Sequence, residues 1–157
     1  MSKAIISALL VVALSVMFAG TALATLANGG FHPTLFTRGT LSESVHFNTG
    51  AVKLQTKGSV DVAQATVTLD PLASSGWHEH PGIVLVTVKS GTVTFYDQNC
   101  SPTIHAAGTT FVEVAGDGPG VAHNESATTP AVVYVTYLVP TGAALRIDVP
   151  NPGCPQS

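Results

Sequence analysis

A chain of 157 residues is long enough for one domain with its own core and short for two. Hydrophobic residues make up 45% and charged residues only 10%, a balance that excludes a disordered chain. The net charge is −3 and the six Lys and Arg are scattered singly, so no basic surface is available to phosphates and nucleic acid is excluded as a partner.

The N-terminus reads as an export segment. Ser2 and Lys3 make a short positive start, residues 4–19 are almost wholly apolar, and Ala22-Leu23-Ala24 places small residues at the −3 and −1 positions of a cleavage site. This pattern predicts a Sec-type signal peptide over residues 1–24 and a secreted, periplasmic or cell-wall protein with no membrane contact after cleavage. The alternative is an uncleaved anchor, since residues 4–27 are long enough to cross a bilayer. No twin arginine precedes the apolar run and no cysteine follows it, so neither that export route nor a lipid-modified cysteine is expected.

Small residues over 25–37 predict a flexible leader. Short extended segments follow at 38–47, 51–56, 60–69, 83–89, 92–97, 109–114, 121–126, 131–139 and 144–149, separated by turn residues such as Asn48-Thr49-Gly50, Asp70-Pro71 and Ser90-Gly91. Residues 98–102 read as a loop. No helical periodicity longer than a turn occurs after residue 27. Many short strands at regular turn spacing predict one all-β domain, a sandwich or small barrel, and within that group a jelly roll can hold a small ligand or metal.

The two cysteines, Cys100 and Cys154, read as a disulfide in an exported chain. It would pin the C-terminal tail, residues 150–157, and contribute on the order of 4 kcal/mol in the chain-entropy model. A pair of metal thiolates is the alternative, though neither cysteine has a second one nearby.

The chemistry concentrates in Gly76-Trp77-His78-Glu79-His80-Pro81-Gly82. In a strand, residues i and i+2 face the same side, so His78 and His80 converge while Glu79 turns away. Two imidazoles aimed at one interior point are half a metal site. The glycines of 116–120 precede no helix and no Lys-Ser/Thr pair, so they form no phosphate loop. Carboxylates are few and dispersed, which gives paired-carboxylate glycosidase chemistry no support.

The segment Gly76-x-His78-x-His80 with Gly91 downstream resembles the first motif of the cupin superfamily, and a second motif would lie between Gly108 and Asn124. Trp77, residues 92–97, residues 133–138 and the Cys154 tail are similar to small exported single-domain bacterial cupins. The resemblance implies a cupin-type jelly-roll β-barrel over residues 38–149, a divalent transition metal (Fe, Ni, Cu, Zn or Mn), a small-molecule ligand and a homodimer. In the first motif His78 and His80 match the ligand positions, but the glutamate position holds Val84, followed by Leu85. In the second, with Asn124 as its last residue, the histidine position is Gly120. His123 fills a neighbouring position and faces the other side unless the turn at 116–120 shifts the strand. The expected metal ligands are therefore His78, His80 and, with such a shift, His123; catalytic residues are not assigned. A non-enzymatic ligand-binding or structural protein with a degenerate metal site is the competing expectation. His32, His46 and His105 read as surface or hydrogen-bonded histidines, Gln64 as facing either side, and Trp77, Tyr96, Tyr134 and Tyr137 as core or pocket wall.

Overall fold

The computed structural model describes residues 24–155, and the segment read as a signal peptide lies outside them except for Ala24. Alternation dictates the strands. In β4 (Val60–Leu69) Ala63, Ala65, Val67 and Leu69 are buried and the residues between them are not, so one face meets the core. The same period buries Val84, Val86 and Val88 of β6 (Ile83–Ser90) and Val133 and Val135 of β11 (Ala131–Pro140). With β1 (Phe31–Leu41) and β9 (Thr110–Val114) these strands form an antiparallel sheet in the order β1-β4-β11-β6-β9.

The second layer consists of β10 (Val121–His123), β7 (Thr92–Tyr96) and β8 (Pro102–Ala106), paired in that order. A bridge between His78 and Gly120 joins β10 to β5 (His78–Glu79), and β5 pairs with β12 (Ile147–Asp148). From β4 onward the chain passes back and forth between the two layers, the course of a double-stranded β-helix. A small hairpin, β2 (His46–Asn48) with β3 (Lys53–Gln55), stands apart. Valines of both layers, including Val86, Val93 and Val135, fill the space between them.

Two expectations need correction. The leader is a strand from Phe31 onward: β1 pairs with β4 from Phe31↔Leu69 to Leu41↔Val60. A register shift between Leu35 and Thr37 breaks its alternation, and most of this edge strand is exposed, so neither face carries a clean pattern. The loop after Asp97 leads into strand β8, whose leading Pro102 lies at a sheet edge, where a missing N–H costs no ladder bond. The jelly-roll expectation is met by two facing antiparallel layers: among the described residues the named ladders run within each layer, and their inner side chains pack together.

At one end of the sandwich Asp61, only 4% exposed, accepts hydrogen bonds from Gly142 N (3.0 Å), Thr40 Oγ1 (2.7 Å) and Arg38 Nε (2.8 Å). The Gly142 amide, the Thr40 hydroxyl and the Arg38 guanidinium hold its carboxyl down to about 2. A carboxyl depressed on folding contributes stability that is present above its unfolded value, near 4, and is lost as pH falls towards 2. Asp61→Asn should therefore lower the urea midpoint at pH 7, and the gap from the wild type should close between pH 4 and 2. A gap independent of pH would remove this carboxylate from the acid limb.

Candidate metal centre

Strand β5 is short because Pro81 and Gly82 end it. Gly82 lies against the backbone of Leu138 and Val139, where no side chain fits. At its other end Gly76 has φ +70°, a conformation glycine takes at no steric cost, and its α-carbon lies under the Thr25 carbonyl. Between these two glycines alternation turns Trp77 outward, against Val121 and Cys154, and His78 and His80 inward.

Both imidazoles are fixed by backbone carbonyls. His78 Nδ1 lies 2.8 Å from the Gly76 oxygen and His80 Nδ1 lies 2.6 Å from the Leu145 oxygen. A carbonyl can only accept, so each Nδ1 carries a proton, and Nε2 is the ring atom that each histidine turns towards the cavity. Those two Nε2 atoms lie 3.7 and 3.5 Å from Oε2 of Glu113, and the rings meet edge to face with centroids 4.9 Å apart. Ligand atoms about 2.0–2.2 Å from one divalent ion are themselves about 3–4 Å apart, so the spacing fits. Among the described residues, His78, His80 and Glu113 are the group whose ligand atoms converge closely enough to hold a metal ion.

The electrostatics agree with the geometry. Burial pulls His78 down to about 4, against the opposing pull of Glu113, so the ring is neutral at neutral pH. Burial alone would raise Glu113, but the adjoining His80 and His78 rings and the Arg146 guanidinium outweigh it, and its carboxyl lies below the usual value. Tyr137 is pushed up to about 12 by burial and by Glu113, which keeps it a neutral phenol. With Arg146, Phe31 and core valines these groups line a cavity open to the centre of a water molecule over ≈ 50 Å³. That is room for a few waters or a ligand of a few heavy atoms.

Glu113 is the residue that sequence reasoning missed. It stands on β9 directly opposite Val84 of β6, the position where a glutamate was expected. The carboxylate thus comes from the neighbouring strand, one ladder step away. Its one local signal is that Phe111 and Glu113 share a face of β9, a charge on the apolar side of a strand.

His123 does not join the group. It pairs with Thr94 on β7, and its Nε2 lies 3.2 Å from Ser74 Oγ while its ring meets Tyr96 edge-on. It lines a second cavity, on the outer side of the second sheet, with Thr25, Ser74, Trp77 and Asn151. The turn at 116–120 produces no phase shift: Ala122 faces the inner cavity, so its neighbour faces out. At Gly120 an added β-carbon would overlap the ring of Phe95, which fills the space a histidine there would need. The other histidines are accounted for by packing and pairing. His32 lies 3.0 Å from Asp70, His105 stacks on Phe111 and His46 is exposed, while Gln64 lies on the outer face. Cys100 and Cys154 form a disulfide that closes the tail over Trp77.

No family model matches the sequence, and no curated protein is significantly similar to it. Solved structures are similar in fold. They include an uncharacterized conserved protein with a double-stranded β-helix domain from Klebsiella pneumoniae (20% identity, 69% of this chain and 87% of that one, TM-score 0.49). A cupin-2 domain protein from Shewanella frigidimarina (17%, 49% and 70%, 0.41) and the DMSP lyase DddQ from Ruegeria pomeroyi (17%, 53% and 41%, 0.46) are others. The strand order β1-β4-β11-β6-β9 facing β12-β5-β10-β7-β8, with the histidine pair on β5, decides the matter. The fold is that of a cupin. In this fold the two histidines at β5 meet a carboxylate from β9, and His123 on β10 faces outward.

Proposed function

We propose that this cupin is an exported protein that holds a divalent first-row transition metal through His78 Nε2, His80 Nε2 and the Glu113 carboxylate and offers it to a small ligand in the inner cavity. The observation that carries this reading is the convergence of three electron-pair donors, two of them with their proton-bearing nitrogen committed to a backbone carbonyl. Two imidazoles and one carboxylate on one side of an ion suit metals such as Fe(II), Mn(II), Ni(II) or Zn(II) and leave positions open. When bound, such an ion supplies Lewis-acid polarisation of a ligand oxygen. Tyr137 offers a neutral hydroxyl to the same space, Arg146 contributes positive charge, and valines form its walls. Export is supported by the disulfide, which persists in oxidising compartments.

The small cavity favours a second reading, in which the protein holds a metal without turning over a substrate. Both readings require the metal. Elemental analysis of purified protein should find one ion per chain, and removing it should lower the thermal midpoint. With free metal at about 100 times Kd the expected stabilisation is about 2.7 kcal/mol. A midpoint unchanged by chelation and by each of Fe, Mn, Ni, Cu and Zn would contradict both.

A further inference from the structure

Strand β12 and the residues flanking it hold both metal-facing rings. The Leu145 carbonyl receives the His80 Nδ1 proton (2.6 Å). Arg146 Nη2 donates to the Ser75 carbonyl (2.5 Å) and lies 3.5 Å from the Gly76 carbonyl, the atom that receives the His78 Nδ1 proton. Asp148 stands opposite His78 in the ladder, and Val149 N donates to the Trp77 carbonyl (3.0 Å). One strap, residues 145–149, therefore orients two ligands.

Its own grip is short, a ladder of two residue pairs. The covalent tie comes from the tail. Asn151 Oδ1 accepts the Gly153 and Cys154 amides (2.9 and 2.7 Å), which folds residues 151–154 into a compact turn, and Cys154 is bonded to Cys100 against Trp77. On the other side Cys100 sits at φ +64° in a turn whose Asp97 Oδ1 accepts the Asn99 and Ser101 amides. The strap is thus held to β5 by this ladder and the Arg146 and Val149 bonds, to Thr25 through the Val149 carbonyl (2.9 and 3.1 Å), and to the second sheet by one covalent S–S bond.

We propose that the Cys100–Cys154 disulfide sets the metal affinity of the His78, His80, Glu113 site, so that the oxidised chain holds the ion and the reduced chain releases it. This rests on the metal reading above. Reduction by a dithiol or a phosphine breaks the S–S bond. The two sulfurs take up two electrons and two protons, while a dithiol closes to its own disulfide or a phosphine takes an oxygen from water. The strap then loses the high local concentration that the tie gives it. The Leu145 carbonyl leaves His80, and the ring is free to turn and to change tautomer. Loss of outer partners of this kind weakens metal binding by about 10–100-fold.

The test is titration with Co(II), followed by its visible absorption, of the oxidised protein and of the Cys100→Ser/Cys154→Ser variant. Its companion is the rate at which a phosphine reduces the disulfide of the unaltered protein with and without Co(II), which does not depend on the variant's folding. Affinity at least about tenfold weaker in the variant, and reduction at least about tenfold slower with saturating Co(II), are expected. Equal affinities, or a reduction rate indifferent to Co(II), would overturn the gating while leaving the metal site. Oxidised protein that binds no Co(II) would overturn both.

Discussion

Replacing Glu113 with glutamine will cost on the order of 100-fold or more in Co(II) affinity, and His78→Ala will do the same, while His123→Ala will leave it unchanged. Glutamine keeps the shape of the side chain but removes its charge and substitutes a weak amide oxygen for a carboxylate. Loss of an outer hydrogen-bond partner alone costs about 10–100-fold, so loss of a direct ligand sets a higher floor. His123 serves as the control because it faces Ser74 and Tyr96 on the opposite side of the second sheet. Titration of the four proteins measures this directly. A Glu113→Gln variant that binds like the parent would leave the histidines without a carboxylate partner, and loss on His123→Ala would put the ion elsewhere.

The second large effect concerns the vacated ligand position. Gly120→Ala should destabilise the fold by about 1–3 kcal/mol, because its methyl group meets the Phe95 ring inside a packed layer. Phe95→Ala should cost about 3 kcal/mol through the cavity it leaves beside Phe111. Combined, the two should cost at least about 1 kcal/mol less than their sum, since the truncated ring makes room for the methyl group. Urea denaturation of the parent, both single variants and the double variant gives the coupling. Strict additivity would mean that Phe95 does not occupy the space that a second-motif histidine would claim.

These two results bear on how much of the site was legible in the sequence. Local alternation carried the strands β4, β6 and β11, and the spacing of His78 and His80 put both rings on one face of β5. The pairing of Cys100 with Cys154 needed only a count, since the chain has two cysteines. Glu113 was hidden for a physical reason. Its place beside Val84 depends on the register between β6 and β9, strands separated by the whole β7–β8 hairpin. No local pattern fixes a long-range register of that kind. The strand at Phe31 was hidden by its bulge and its exposed edge. For His123 the simple alternation rule was the better guide than an invoked shift: Val121 and His123 point outward and Ala122 points in.

Glu113 also brings its carboxylate to the site from a different strand than the expected position at Val84. The carboxylate enters from the edge strand of the first sheet, while both histidines hang from the second. A metal ion held by these three residues would therefore tie the two layers together. Ion binding should then stabilise the packing of the layers as well as the strap.

The most direct measurement is anomalous diffraction at the metal absorption edge from crystals of the metal-loaded protein. One peak is predicted, about 2.0–2.2 Å from His78 Nε2, His80 Nε2 and an oxygen of Glu113. A peak beside His123, or loaded crystals with no peak between the two sheets, would contradict it.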